Sequence, residues 1–139
     1  MSLVVCGKTN KYGNIVGHIP DSKTLNKNEW DFKVLSAIIT PLTTDLDDVF
    51  ELGCSFSSSI CFNYELDRFL DKNTPAIVSH IQIEKNKTKT ITPSNSFPWM
   101  RVENAGDKIS ISLVKAGTES SLPENSVSMT VHIVIKRIK

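Results

Sequence analysis

A two-residue hydrophobic repeat constrains this chain more than any other feature. From Val127 to Ile135, the residues Val127, Met129, Val131, Ile133 and Ile135 alternate with Ser128, Thr130, His132 and Val134. A strand turns successive side chains to opposite faces, so this pattern makes one apolar face and one wetter face. A helix, with its period of 3.6, cannot separate the same residues. Ile109, Ile111 and Leu113 repeat the pattern against Lys108, Ser110 and Ser112. Trp30, Phe32 and Val34 repeat it against Asp31 and Lys33, ahead of the fully apolar Ala37-Ile38-Ile39. Ile77, Ile81 and Ile83 alternate with Val78, His80 and Gln82, with Ser79 interrupting the apolar row.

The segment from 49 to 66 carries a longer version. Phe50, Leu52, Cys54, Phe56, Ile60, Phe62, Tyr64 and Leu66 share one parity, with Ser58 the polar exception. Ser57-Ser58-Ser59 offers a turn, and a three-residue loop would set Phe56 opposite Ile60 and Cys54 opposite Phe62. That register gives a hairpin with one apolar face, Cys54 inward and Cys61 outward. The competing reading is helical over 44–52, with Thr44 as N-cap and Gly53 at the end, and a second short helix over 64–71.

Turn signals at Lys11-Tyr12-Gly13-Asn14, Asn73-Thr74-Pro75, Asn104-Ala105-Gly106-Asp107 and Pro123-Glu124-Asn125 divide the chain into short runs. There is no linker, internal repeat or alternation of strand and helix. The expectation is one all-β domain over residues 1–139. Its architecture is an antiparallel β-sandwich of jelly-roll or other Greek-key type, with at most one or two short helices.

The 139 residues carry 16 Lys+Arg against 15 Asp+Glu, a formal net charge of +1. That balance argues against a strongly basic nucleic-acid module and an acidic disordered tail. No run of residues is long and apolar enough for a membrane helix, and the first residues lack the form of a secretory leader. Membrane insertion is therefore not expected, and the cytoplasm (or a virion) is the default setting. Three cysteines, Cys6, Cys54 and Cys61, are too few for a disulfide scaffold and have no zinc spacing.

Signs of catalysis are weak. His18, His80 and His132 fall on three different expected strands, where isolated histidines fill polar positions. Asp45, Asp47 and Asp48 cluster without the spacing of a calcium loop. Nucleophile elbows, phosphate loops and dinucleotide fingerprints are missing. No metal, cofactor or catalytic residue is expected, and the chain reads as a non-enzyme.

Two surface constellations remain. Ser96-Phe97-Pro98-Trp99-Met100-Arg101 gathers Phe97, Trp99, Met100 and Arg101, the composition of an interface hot spot or a sugar-stacking platform. Lys85, Lys87 and Lys89 would share one face of an extended segment, about 6.5–7 Å apart, and could meet a polyanion. The same lysines would equally well guard an edge strand against aggregation. The resulting expectation is a structural or interaction protein that works through its surfaces as a homo-oligomer or with another protein. Small β-sandwiches of this kind recur in viral capsid and fibre-head proteins, an analogy of fold alone. A carbohydrate- or polyanion-binding module is the alternative, followed by a small metal-binding protein or enzyme.

Overall fold

A computed structural model describes residues 2–18, 30–43, 48–56, 60–64, 67–70, 76–91, 99–103, 108–115 and 122–137. The alternating segments all become strands. In chain order they are β1 (Ser2–Lys8), β2 (Asn14–His18), β3 (Trp30–Pro41), β4 (Asp48–Phe56), β5 (Ile60–Asn63) and β6 (Arg68–Phe69). Then follow β7 (Ala76–Ile83), β8 (Lys89–Ile91), β9 (Met100–Glu103), β10 (Lys108–Lys115) and β11 (Val127–Arg137).

Two antiparallel sheets pack face to face. The larger runs β1-β11-β3-β9-β5-β6, with β8 also on β3, and the smaller runs β2-β10-β4-β7. The long β3 carries β9 along Trp30–Phe32 and β8 along Ala37–Ile39, so those two short strands share one place beside it. With β5 and β6 set aside as an insert, the chain pairs in nested order. First pairs with last (β1 with β11), then β2 with β10, β3 with β8/β9, and β4 with β7. An eight-stranded ribbon folded back on itself in this way is a jelly roll.

The period-2 residues fill the space between the sheets. Ile109, Ile111, Leu113, Val127, Met129, Val131, Ile133 and Ile135 are all buried. Trp30 and Phe32 of one sheet meet Phe56 of the other, with ring centroids 4.9 and 4.7 Å from Phe56 in edge-to-face geometry. A bulge opposite His132/Ile133 gives β3 one extra residue, which moves Ala37 and Ile39 inward and leaves Leu35 and Ile38 exposed. The continuous apolar run in the sequence is therefore a change of phase within one strand.

Two glycines close the corner between β1 and β2. Gly13 takes φ 77° in a turn where Asn10 Oδ1 accepts from the N–H of Tyr12 and of Asn14. At Gly17 a Cβ would lie 2.8 Å from Val5 Cγ2, so only glycine lets β2 approach β1 this closely.

The hairpin expected over 49–66 does not form. β4 pairs with β10 and β7 in the smaller sheet, whereas β5 pairs with β9 and β6 in the larger. The chain crosses the sandwich between them, and a strand entering from the opposite sheet meets the core with reversed parity. Cys54 is inward as expected, but Cys61 is buried too, and Phe62 and Tyr64 turn outward. The helical alternatives fail for the described residues: 48–52 lie in β4, and Arg68–Phe69 form β6.

Candidate functional site

The outward parity of β5 and β9 creates the most distinctive surface. Met100 and Val102 point into the core, so Trp99 and Arg101 lie on the outer face of the larger sheet. Cys61 and Asn63 likewise point inward and send Phe62 and Tyr64 outward. Strand register then sets five outer residues side by side across five strands. Lys136 (β11) is opposite Asp31 (β3), which is opposite Arg101 (β9), then Phe62 (β5), then Phe69 (β6). Directly opposed side chains in antiparallel strands are contact neighbours.

The distances agree with that placement. Phe62 packs edge-to-face on Phe69 with centroids 5.0 Å apart, and on Tyr64 at 5.4 Å. The Arg101 guanidinium lies 5.5 Å from the Tyr64 ring centre, and its Nε is 3.5 Å from Asp31 Oδ1. Tyr64 Oη donates to the same Asp31 oxygen at 3.0 Å. Lys136 Nζ sits 5.7 Å from the centre of the Trp99 ring. Phe69 is 55% exposed and Tyr64 40%, while the Asp31 side chain is only 14% exposed. The polar centre is thus held in place and the rings around it face solvent.

Desolvation raises the Tyr64 phenol above its ordinary value, and the hydrogen bond to Asp31 raises it further. The phenol stays protonated and serves as a donor. The chemistry available here is recognition. Flat rings with few torsions supply contact area at low entropic cost, and the guanidinium and carboxylate set orientation.

Of the four platform residues read from the sequence, Trp99 and Arg101 lie on this strip and Phe97 lies outside the described residues. Met100 requires correction. It is 1% exposed and belongs to the core, because three consecutive residues at a strand cannot all share one face. Asp31, Phe62, Tyr64, Phe69 and Lys136 were missed. Their signal was the alternation itself, hidden because the parity of β5 depends on which sheet it joins.

The lysine constellation is also rearranged. The chain turns at Lys85-Asn86, with Asn86 at φ 58° and Lys87 N–H donating to Glu84 O, so no extended row exists. Lys87 Nζ and Lys89 Nζ instead reach the two carboxylate oxygens of Glu84 at 2.9 and 3.1 Å. The hydrogen bond from Lys87, then that from Lys89, holds the Glu84 carboxyl below its ordinary value. Gln82, Glu84, Lys85 and Lys87 line a shallow depression of about 350 Å³. An anion drawn to Lys87 or Lys89 would have to displace the Glu84 carboxylate.

The histidines do not converge. His18 is on β2 and His80 on β7, the two edges of the smaller sheet, and His132 is in the larger sheet. His80 Nε2 lies 3.3 Å from Glu51. Asp48 pairs with Lys115 at 2.9 Å, while Asp45 and Asp47 lie outside the described residues. No group of three His, Cys, Asp or Glu placed to hold a metal occurs among the described residues.

Neither a protein family nor a curated protein matches this chain in sequence. Loose structural likenesses do occur. The tobacco streak virus coat protein is 10% identical, with 99% of this chain and 88% of that one covered and a TM-score of 0.33. The tomato aspermy virus structure is 16% identical, covering 100% of this chain and 77% of that one, with a TM-score of 0.30. A virus-like particle of the extra small virus of the prawn Macrobrachium rosenbergii is 6% identical, covering 96% and 77%, with a TM-score of 0.24. These overlaps are too loose to define a shared fold, and the jelly-roll assignment rests on strand pairing.

Proposed function

We propose that this chain is a non-enzymatic structural protein that self-assembles, with the strip of Phe62, Tyr64, Phe69, Trp99 and Arg101 as the centre of a contact between copies. The observation that carries this reading is the solvent-facing ring cluster around the Asp31–Arg101 pair. Tyr, Trp and Arg dominate the energetics of protein interfaces, and preorganised side chains lose little freedom when a partner covers them. Five strands at about 4.8 Å make the strip about 19 Å across, the size of the core of a standard patch of roughly 800 Å². Replacing Tyr64 and Phe69 together with Ala removes the most exposed rings while leaving the inward residues alone. The expected result is a smaller particle with an unchanged strand signal in circular dichroism. A double variant that assembles like the parent rules the strip out as an interface.

The same rings favour one second reading, a sugar platform, because Asp31 and Arg101 lie within reach of a ring stacked on Tyr64 or Phe69. Retention on neutral polysaccharide that Phe69→Ala abolishes, in a protein of unchanged mass, distinguishes it from assembly.

A further inference from the structure

The outer edge of β1 is the longest strand edge of the larger sheet without a neighbour among the described residues. On its inner side β1 pairs with β11 along its whole length, from Ser2 opposite Val134 to Lys8 opposite Ser128. Thr9 N–H donates to Val127 O at 2.9 Å, which fixes the phase of the ladder. Odd positions turn their backbone groups toward β11, so the N–H and C=O of Ser2, Val4, Cys6 and Lys8 point away from the sheet. Proteins guard such edges with short strands, prolines, bulges or charge. The opposite edge follows that rule, since β6 has two residues and β8 has three, the latter beginning at Lys89. β1 has seven residues, no proline, no bulge against β11 and one charge at its end. Val4 on this strand is 52% exposed.

We propose that β1 pairs antiparallel with β1 of a second copy across a two-fold axis, setting Val4 opposite the partner's Cys6. Two-fold pairing of identical strands requires the two residue numbers of every pair to have a constant sum. A sum of ten joins Ser2 to the partner's Lys8 and Val4 to the partner's Cys6, and reciprocally. All four outward-pointing residues of each strand are then used, in about eight hydrogen bonds. The neighbouring even sums leave one of those residues idle on each copy. On the core side, the same register sets Val5 against the partner's Val5 on the axis and Leu3 against the partner's Gly7, where the missing side chain leaves room. The two Lys8 residues fall at opposite ends, roughly 20 Å apart, so no like charges meet. That self-complementarity favours a second copy over an unrelated peptide.

This contact rests on the self-assembly reading only in taking its partner to be another copy. It lies at the opposite edge of the sheet from Phe69, so the two surfaces can be engaged independently.

Val4→Cys places a new thiol opposite the partner's Cys6 at a Cα separation of about 5.5 Å, within disulfide reach. Treatment with diamide, which takes up the two electrons and two protons released by each bridge, should convert most of this variant to a covalent dimer. The parent protein should stay uncrosslinked. Adding Cys6→Ser to Val4→Cys should abolish the dimer. A dimer that survives Cys6→Ser, or one already present in the oxidised parent, overturns the register. No dimer from Val4→Cys at any protein concentration overturns the contact, as does fast amide exchange at Val4 and Cys6 in the assembled parent. Repeating the crosslink in the Tyr64→Ala/Phe69→Ala background separates the two surfaces, because loss of the strip contact should leave the β1 dimer intact.

Discussion

Tyr64 Oη donates to Asp31 Oδ1 at 3.0 Å although β5, which Tyr64 directly follows, is not a neighbour of β3. β9 lies between β3 and β5, and the bond passes over it beside Arg101, whose Nε approaches the same oxygen at 3.5 Å. One well-shielded carboxylate therefore fixes both a ring and a guanidinium on the sheet surface. Tyr64→Phe should keep the ring contacts and cost about 0.5 kcal/mol, the low end for a hydrogen bond at a partly exposed site. Asp31→Ala removes the anchor of both partners and should cost more. Urea unfolding of the two single variants and the double variant measures the coupling, and a coupling of zero would show that the bond contributes nothing to holding the ring.

The contact of Trp30 and Phe32 with Phe56 joins the two sheets through aromatic rings. Phe56→Ala should destabilise the protein by about 3–5 kcal/mol, because two rings, Trp30 and Phe32, lose a common packing partner and the backbone cannot close the gap. Phe56→Leu should cost distinctly less. Equal losses in chemical denaturation would mean that ring geometry there adds nothing beyond volume.

The cysteines should differ sharply in reactivity. Cys6 is exposed, whereas Cys54 and Cys61 are buried. Burial pushes the Cys61 thiol up to about 11 and the Cys54 thiol higher still. Thiolate is the reactive form, so a thiol-specific reagent at pH 8 should titrate one cysteine of three in the native protein and all three in denaturant. Two fast thiols in the native protein would contradict the inward placement of Cys61.

Glu84 supplies one pH dependence that can be traced to a single group. Lys87 and then Lys89 depress its carboxyl, so the folded value lies below the unfolded one. Its contribution is present above the ordinary carboxylate range and is lost as the pH falls through the folded value. A carbon-detected titration should place the Glu84 midpoint low, and Lys87→Met should move it upward. A midpoint unmoved by that substitution would show that the pair in the turn is not populated.

Much of this architecture was legible in the sequence because a period of two leaves a strand little choice. The alternating runs at 30–34, 109–113 and 127–135 all put their apolar residues inside. The pairing of 49–66 was not legible. Phe56 and Phe62 have the same parity, and alternation reports which residues share a face of one strand without saying which sheet the next strand joins. The crossing between β4 and β5 reversed that relation and moved Phe62 and Tyr64 to the surface. The strip was half legible for the same reason. Trp99 and Arg101 stood out by composition, but Asp31 and Lys136 join them only through register between segments about 70 and 35 residues away, distances along the chain at which local pattern carries no information on contact. Lys85, Lys87 and Lys89 were misread through the turn at Asn86, whose left-handed backbone no alternation pattern reveals.

Light scattering coupled to size exclusion, at about 50 and 500 mM salt, tests the central claim most directly. These concentrations bracket weak and strong screening of surface charges. Self-assembly centred on aromatic rings predicts a defined oligomer whose mass is the same at both. A monomer at both concentrations, at the highest protein concentration attainable, would contradict the account.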